Sequence, residues 1–490
     1  MIELIAPIST QFSRLAQVAP EAPAVTCLGR TLTRAELDRS TNRLARAYAE
    51  NGVGVGDYVT IALPNSIEWL QATLATWKLG AIPQPLSPRL PAAEFEQLLE
   101  LKTRSLLVGR ADPRGKTPAV PQGFTPREVI SDEPLPAAVS PVLRSLASGG
   151  STGRPKLIEF GGDSRVPAAS GALFGAQIGD VNLISVPLSH TTGFTAATIG
   201  LLMGHHLAVM PRFDALDFLR QVAELHVTFL ATVPTIMQRL LPIYRSAPQT
   251  YDLSSIRRLW HTGAPCPPAT KQAWIDILGP EVLWEMYGST EQHALTMISG
   301  AQWHEHRGSV GTVVTGRMIV LDDDGNECPT GVVGEVYMRP EAGSSPTYRY
   351  VGSKATSRDG WDSIGDLGYF DADGFLYISD RRVDMFTVGG RNVYPAEVEA
   401  ALAGHPDVLS SLVVGVPDDD LGQVPHAIVQ IAPGANLDEA SLTQFLGASI
   451  ARYKVPRTVQ FTMSPLRDDA GKARRSAIRD AVIAQRTQAD

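Results

Sequence analysis

The sequence is poor in lysine and cysteine and has no long hydrophobic run. Only eight of its 43 basic residues are lysines, so each lysine in a glycine-rich segment is weighed individually. The three cysteines, Cys27, Cys266 and Cys328, lie far apart with no Cys-x-x-Cys pair, which argues against a disulfide framework or a cysteine zinc site. No apolar run approaches the roughly 18 residues of a membrane span, and residues 1–7 lack a basic signal segment. These absences predict a cytoplasmic protein without a membrane partner.

A concentrated basic surface is also missing. The formal net charge is −8, and nucleic-acid binding by counterion release needs clustered positive charge, so no nucleic-acid partner is expected. The histidines at 205–206 and 304–306 do not match His-Glu-x-x-His, which argues against a histidine metal site. A chain of 490 residues is too long for one core, so at least two domains are expected. The sequence carries no signal for an oligomeric state.

Apolar periodicity predicts an α/β fold. Helical spacing over 33–50 and 67–79 alternates with strand-like runs at 58–63 and 81–86. Buried strands are also predicted at 181–186, 207–210, 227–231 and 259–262. Such alternation is typical of parallel sheets covered by helices. The glycines at 52, 54 and 56 precede a strand, so they indicate a turn and not a dinucleotide-binding loop.

The spacing changes after Gly308. Short strands at 317–322 and 334–338 predict a smaller β-rich subdomain, and a charged break at 380–384 precedes a segment of α+β character. We therefore place the main domain boundary at this break.

The most informative segment is 146–156, which reads Leu-Ala-Ser-Gly-Gly-Ser-Thr-Gly-Arg-Pro-Lys. Its glycines let the backbone approach a ligand, and its hydroxyls and amides suit phosphate oxygens. It is not a Walker A loop, because Pro155 favours an extended exit and not a helix. A polyphosphate site is predicted, with a flexible surface loop as the alternative.

Further segments carry polar residues in a recognisable order. They read Pro-Leu-Ser-His-Thr-Thr-Gly-Phe at 187–194, Trp-Glu-Met-Tyr-Gly-Ser-Thr-Glu at 284–291, Gly-Asp-Leu-Gly-Tyr at 365–369, and Gly-Gly-Arg-Asn-Val-Tyr-Pro at 389–395. Asp-Ala-Gly-Lys at 469–472 places a lysine on a turn. Together with the glycine-rich loop, they resemble the adenylate-forming (AMP-binding) superfamily, and within it the acyl-CoA synthetases and aryl-CoA ligases.

The resemblance implies a domain plan and a reaction. Residues 1–380 would form a large N-terminal domain of two parallel-sheet α/β subdomains plus the β-rich subdomain, 381–384 a hinge, and 385–490 a small mobile C-terminal domain. The implied enzyme uses ATP and Mg²⁺ to activate a carboxylic acid as acyl-AMP, and then transfers the acyl group to coenzyme A. Two alternatives stay open: loading of a separate carrier protein, and a non-catalytic nucleotide-binding protein of the same fold.

The same resemblance implies the nucleotide-binding residues. Glu291 would hold Mg²⁺, Thr290 would contact the α-phosphate, and Asp366 would accept bonds from both ribose hydroxyls with Arg381 nearby. The bland alternatives are a helix N-cap for Thr290-Glu291 and a turn aspartate for Asp366. The full implied set for ATP and AMP also includes Ser148, Gly149, Gly150, Ser151, Thr152, Gly153, Lys156, Gly263, Ala264, Pro265, Glu285, Met286, Tyr287, Gly288, Ser289 and Ile378.

Catalytic and thiol-binding roles follow in the same way. Lys472 would bridge the carboxylate and α-phosphate, against the alternative of a solvated lysine. His190 stands where an aromatic residue gates the acyl pocket, against a packed core histidine. Gly389 and Gly390 would line the thiol tunnel. Two positions depart from the family pattern, since Asp380 replaces the usual glycine and Val383 replaces the usual Asp or Lys at the hinge.

The acid is expected to be an aryl or other cyclic carboxylic acid. Thr191 stands where amino-acid-activating domains carry an aspartate, and a buried ammonium without a carboxylate would be costly. The implied acyl pocket consists of His190, Thr191, Thr192, Phe194, Ala264, Met286, Gly288 and His293. No carrier segment with a phosphopantetheine serine follows residue 490, so we expect the thiol to come from coenzyme A or a separate carrier protein.

Overall fold

A computed structural model describes residues 5–149, 155–341, 346–432, 434–468 and 470–489. The α-helices within these ranges are α1 (Ile8–Val18), α2 (Arg34–Glu50), α3 (Ile67–Lys78), α4 (Ala92–Glu100), α5 (Thr191–Met203), α6 (Ala215–Leu225), α7 (Pro234–Ser246), α8 (Pro268–Leu278), α9 (Gly300–Glu305), α10 (Pro395–Leu402), α11 (Glu439–Gly447) and α12 (Arg475–Ala489). None of these helices combines the length and apolar character that crossing a bilayer requires.

The strands of the described residues up to Gly288 are β1 (Ile5–Pro7), β2 (Pro23–Cys27), β3 (Arg30–Thr33), β4 (Tyr58–Ile61), β5 (Ile82–Pro85), β6 (Leu106–Gly109), β7 (Ala119–Pro121), β8 (Ser145–Gly149), β9 (Pro155–Phe160), β10 (Arg165–Pro167), β11 (Val181–Ile184), β12 (His206–Val209), β13 (Phe229–Thr232), β14 (Arg258–His261) and β15 (Leu283–Gly288). The later strands are β16 (Leu295–Ser299), β17 (Thr312–Thr315), β18 (Arg317–Leu321), β19 (Gly334–Arg339), β20 (Tyr348–Val351), β21 (Thr356–Arg358), β22 (Trp361–Phe370), β23 (Leu376–Arg381), β24 (Phe386–Val388), β25 (Arg391–Val393), β26 (Val408–Asp418), β27 (Gly422–Ile431) and β28 (Thr458–Thr462).

A nine-stranded sheet dominates the first part of the chain. Its order is β17-β16-β15-β14-β13-β11-β12-β2-β3, with parallel pairing from β15 through β2. Alternate residues enter two cores: Phe229 and Trp260 face one, while Leu230 and Leu259 face the other beside Trp274. Because both faces are covered, the strands are almost wholly apolar. The carboxyl ends of β11, β13, β14 and β15 therefore lie at one edge.

A second parallel sheet has the order β5-β4-β6-β7. Helix α2 leads into it and begins with a capping box, in which the Thr33 side chain accepts from Glu36 N–H and the Glu36 side chain accepts from Thr33 N–H. Gly52 and Gly56 then have φ of +87° and +79° in the turn before β4. The prediction of a turn, and of α/β alternation on each side of it, is confirmed.

The β-rich region predicted after Gly308 is confirmed as an antiparallel sheet of order β18-β19-β22-β21, with β23 on the other edge of β22. A separate three-stranded sheet has the order β20-β9-β8, and both of its strand pairings are antiparallel. The α/β fold class with parallel and mixed sheets agrees with the expectation.

Residues after the charged break build a sheet of order β26-β27-β28 with α10, α11 and α12 around it. Their apolar side chains form clusters drawn from this segment alone, including Phe386, Val398, Val429 and Leu442 in one and Val414 and Val482 in the other. Val383, within the expected hinge, is 60% exposed and packs in neither cluster.

Candidate active site

The glycine-rich segment forms the arms of a β-hairpin. Strands β8 and β9 pair antiparallel, with Ser148 opposite Lys156 and Gly149 opposite Pro155. Pro155 begins β9, as the extended exit from the loop predicted. The predicted phosphate ligands Gly150, Ser151, Thr152 and Gly153 lie outside the described residues, as do the side chains at 148 and 149.

Glu291 lies at the edge where the parallel strands end. It follows β15 in a turn and not a helix, so the alternative of a helix N-cap at Thr290 is wrong. Glu291 is 6% exposed; its Oε1 accepts from the Tyr350 hydroxyl at 2.5 Å and lies 3.8 Å from Lys156 Nζ. Burial lowers the pKa of Lys156, Glu291 raises it, and Arg381 lowers it further.

Asp366 and Arg381 face each other across β22 and β23. They are Cα partners in the antiparallel register, and Arg381 Nε lies 3.3 Å from Asp366 Oδ1. The Tyr287 hydroxyl donates to Asp366 Oδ2 at 2.8 Å. Burial raises the pKa of Asp366, while Arg381 and Tyr287 oppose that rise. Asp366 lies within strand β22, so the alternative of a turn aspartate is wrong. Ile378, another predicted nucleotide-binding residue, lies on β23 and packs half-buried against the core of the β-rich sheet.

The predicted adenine slot follows β14. Gly263 has φ +85°, and a Cβ built there would meet only Val233 Cγ1 at 3.8 Å, so a ligand has room to approach. Ala264 is half-buried and Pro265 is exposed beside it. Glu285, which is expected to reach the adenine edge, pairs through its Oε2 with Lys271 Nζ at 2.5 Å. Lys271 is 0% exposed and requires a counter-ion, which is the physical reason for this pairing.

Lys472 reaches the same place from the far end of the chain. Asp468 Oδ1 accepts the backbone N–H groups of Ala470 and Lys472, which forms the turn. Burial lowers the pKa of Lys472 and Arg381 lowers it further, while Asp468 and Glu291 raise it. Lys472 itself is exposed on this turn, and the charges of Arg381, Asp468 and Glu291 are near enough to act on its ammonium, so the alternative of a solvated lysine stays open.

His190 lies next to this lysine. It is half-buried at the N-cap of α5, and burial followed by the charge of Lys472 lowers its pKa to about 4. It is not a packed core residue. One residue on, Thr191 Oγ1 lies 2.7 Å from Thr290 Oγ1, so the start of α5 contacts the segment that carries Glu291.

Two predicted acyl-pocket residues lie elsewhere. Phe194 is 1% exposed, with its ring edge-on to Trp69 and Trp77 at 5.9 and 5.8 Å, so it belongs to the core. His293 Nε2 lies 2.9 Å from Asp362 Oδ2 and its ring is buried. Both are corrected: aromatic packing accounts for Phe194, and the hydrogen bond to Asp362 accounts for His293. Thr192, Met286, Gly288 and Ala264 remain half-buried around the strand ends.

Gly389 and Gly390 form the tight turn between β24 and β25. Their φ values are +55° and +76°, as a two-residue hairpin turn requires, and both are exposed. The Gly389 N–H donates to the carbonyl of Leu421 at 3.0 Å, so this hairpin rests on the C-terminal sheet.

Sequence reasoning missed Tyr350 and Lys271. The pattern Tyr-Arg-Tyr at 348–350 is typical of a strand with both tyrosines on one face, which was the available signal for Tyr350. No spacing in the sequence connects Lys271 to Glu285.

The described residues fit ATP with Mg²⁺. Ser289 Oγ is buried without a hydrogen-bond partner among them, next to Thr290. Glu291 Oε2 likewise has no donor in this part of the chain, and a carboxylate oxygen is the ligand that Mg²⁺ prefers.

Comparisons with known proteins agree with this geometry. The family model "AMP-binding enzyme" matches residues 12–348, and "AMP-binding enzyme C-terminal domain" matches 397–470. The chain is 32% identical to a fatty acid–[acyl-carrier-protein] ligase, ScoC, of Streptomyces coeruleorubidus, covering 95% of this chain and 94% of ScoC. It is also 32% identical to a feruloyl-CoA synthase of Amycolatopsis sp, covering 95% and 97%.

Among solved structures, the o-succinylbenzoate CoA synthetase of Bacillus subtilis, in complex with its acyl-adenylate intermediate, superposes with a TM-score of 0.82 at 26% identity, covering 97% of this chain and 99% of that one. The chain therefore belongs to the AMP-binding enzyme family and is an adenylate-forming acid–thiol ligase.

Proposed function

We propose that this enzyme joins a carboxylic acid to the thiol of coenzyme A in two steps. A carboxylate oxygen attacks the α-phosphorus of ATP and pyrophosphate leaves; the thiol sulfur then attacks the acyl carbon, and AMP leaves. The observation that carries the proposal is that the turn of Lys472 lies against the strand edge: a Cβ on Gly471 would lie 3.6 Å from Val233, which also neighbours Gly263, and the charges of Arg381 and Glu291 act on the lysine. An ammonium aimed between two approaching anions stabilises the charge that develops there.

Other residues have proposed roles in binding the nucleotide and its metal ion. Asp366 suits a vicinal diol because its carboxylate has two acceptor oxygens, Oδ1 near Arg381 and Oδ2 beside the Tyr287 hydroxyl. Glu291 would hold Mg²⁺, which would neutralise charge on the phosphates when bound. Residues 148–153 would wrap the β- and γ-phosphates.

We propose an aryl or cyclic acid as the substrate, which fewer pocket residues support than the sequence predicted. Thr191, Thr192 and Met286 still stand at the strand ends, but Phe194 and His293 no longer contribute. The feruloyl-CoA synthase relative favours an aromatic acid for this chain as well. An amino acid is disfavoured because Thr191 provides no carboxylate for an ammonium.

A carrier protein is the second candidate acceptor. The observation in its favour is ScoC, an acyl-carrier-protein ligase that matches as well as the feruloyl-CoA synthase does.

We infer that residues 1–380 and 385–490 act as two domains joined by a hinge at 381–384. The separate apolar clusters after residue 385 support this division. Asp380 spans the junction, because its Oδ2 accepts the N–H of Ala396 at the start of α10 with a distance of 2.8 Å. Thioester formation would require this bond to break as the C-terminal domain turns.

The deciding experiment measures pyrophosphate release from ATP across a panel of aryl, cyclic and fatty acids, with coenzyme A, with a holo carrier protein, and with neither. We expect acid-dependent release with an aryl or cyclic acid and thioester formation with coenzyme A. Thioester only on the carrier would replace coenzyme A by the second candidate. ATP binding without pyrophosphate release for any acid would indicate the non-catalytic alternative.

A further inference from the structure

Tyr350 contacts both charged side chains that flank the proposed phosphate site. It lies on β20, opposite Ile158 of β9, in the sheet that also carries Lys156. Its hydroxyl donates to Glu291 Oε1 at 2.5 Å, and Lys156 Nζ lies 3.7 Å from the centroid of its ring. Tyr350 therefore contacts the Glu291 carboxylate through its hydroxyl and the Lys156 ammonium through the face of its ring.

The two carboxylate oxygens of Glu291 therefore differ in their hydrogen-bond partners. Oε1 carries both the tyrosine hydroxyl and the nearer approach of Lys156, at 3.8 Å, whereas Oε2 has no donor among the described residues. Glu291 is almost fully buried, and a buried carboxylate without hydrogen-bond donors is costly to keep charged. The unengaged Oε2 is thus the oxygen available to an external cation.

The ring also limits direct pairing between Lys156 and Glu291. An ammonium stacked on an aromatic face is stabilised there, and 3.8 Å is longer than a charge-assisted hydrogen bond. A closer ion pair would satisfy Glu291 and compete with a metal for it. The neighbouring Tyr348 braces the ring edge-on at 4.7 Å, while its own hydroxyl donates to Asp362.

We propose that Tyr350 is a positioning residue that fixes Glu291 with Oε2 free for Mg²⁺ and keeps Lys156 from neutralising it. This inference rests on the proposed function, in which Glu291 is the metal ligand.

The test is calorimetric ATP binding as a function of Mg²⁺, without any acid present. Tyr350→Phe keeps the ring and removes the hydroxyl, and should raise the Mg²⁺ concentration for half-maximal ATP binding by about tenfold, in line with losing one hydrogen bond to a charged group. Tyr350→Leu also releases Lys156 and should shift it further. Tyr377→Phe is the matched control, because it removes a tyrosine bond to Asp371 outside the site.

A double-mutant comparison separates positioning from general damage. In a Glu291→Gln background, Tyr350→Phe should produce no additional shift, since its effect passes through that carboxylate. An identical Mg²⁺ titration for wild type and Tyr350→Phe, or the full shift persisting in the Glu291→Gln background, overturns this inference while the proposed function stands. A wild-type protein that binds no Mg²⁺–ATP and releases no pyrophosphate overturns the proposed function itself.

Discussion

Lys472 is a single ammonium on which the first half of the proposed reaction depends. We expect Lys472→Ala to lower acyl-adenylate formation on the order of 100-fold or more, because one aimed transition-state donor is lost. Thioester formation from supplied acyl-adenylate should be retained. The two half-reactions are measured separately by pyrophosphate release and by thioester yield, and an equal loss in both would contradict the assignment.

The pKa of His190 depends on whether the Lys472 ammonium lies near the imidazole in solution. With a pKa near 4, the imidazole is neutral at pH 7, and the stability that it contributes is lost as pH falls from about 6.5 to about 4. Lys472→Gln removes one of the three causes that lower the pKa of His190, which are burial and the charges of Lys472 and Arg89, so that pKa should rise. Histidine NMR titration, with the signal assigned by His190→Gln, measures it; an unchanged value would mean that the lysine is not docked.

At the scale of single residues, the sequence predicted identities better than orientations. Asp366, Glu291 and Lys472 were predicted because each stands in an ordered motif. Phe194 and His293 were misplaced because a position in α5, or in the segment between β15 and β16, does not reveal whether a side chain turns toward the cleft or toward Trp77 and Asp362. Contacts such as Tyr350 to Glu291 depend on the register of distant strands.

The contact between α8 and β15 depends on a buried ion pair. Lys271→Met leaves Glu285 charged and unpaired, and should lower the free energy of unfolding by about 3 to 5 kcal/mol. Adding Glu285→Gln should recover much of this loss. Urea unfolding at pH 7 measures both, with Arg220→Met as the control, because its pairs with Asp217 and Glu224 are exposed and contribute little to stability.

Asp380 joins β23 to α10 and makes that junction pH-sensitive. Burial raises its pKa to about 6; Ala396 and Arg381 N–H groups and the Arg475 charge lower it, and Glu399 raises it. A raised pKa means that the folded state binds the extra proton, so its stabilising contribution is full below about pH 4 and is lost as pH rises to about 6. Asp380→Asn, which can still accept from Ala396, should remove this decline, worth about 2 to 3 kcal/mol.

Urea unfolding between pH 4 and 8 measures the difference for Asp380→Asn. The control is Asp438→Asn at the exposed N-cap of α11, where hydrogen bonds from Ser441 lower the pKa and the contribution is instead lost as pH falls. Parallel curves for wild type and Asp380→Asn would contradict the expectation.

Individual elements were predicted to within one or two residues where periodicity was clear. The expected helix at 33–50 is α2 at Arg34–Glu50, and the expected strand at 58–63 is β4 at Tyr58–Ile61. Boundaries shifted because caps, and not apolar spacing, set them: the Thr33 capping box starts α2. The pairing of β20 with β9 could not be predicted, because nearly 190 residues separate them and local pattern carries no partner information.

At the scale of the whole molecule, Gly471 is where the C-terminal segment meets the start of α7, just after β13 of the nine-stranded sheet. It has φ +75°, and a Cβ there would lie 3.2 Å from Thr235 Oγ1. Gly471→Ala should therefore displace Lys472 and slow acyl-adenylate formation several-fold, in addition to a backbone cost of about 1 kcal/mol.

The matched control for this change is Gly422→Ala. Gly422 has φ +76° in the β26–β27 turn with nothing within 4 Å of a built Cβ. It should lose similar stability on thermal unfolding and keep its rate of adenylate formation. Equal rates for both variants would contradict docking of Gly471 against α7.

The hydroxyl pair of Thr191 and Thr290 links the two substrates of the proposed reaction. Each hydroxyl owns a single hydrogen, and the two oxygens are 2.7 Å apart. In the proposed ATP complex, Thr290 would donate its hydrogen to a phosphate oxygen and could then only accept from Thr191, which would leave Thr191 only lone pairs to offer to the acid. On that proposal, bound nucleotide would make Thr191 an acceptor, so that an acid bearing its own hydrogen-bond donor would bind best after ATP.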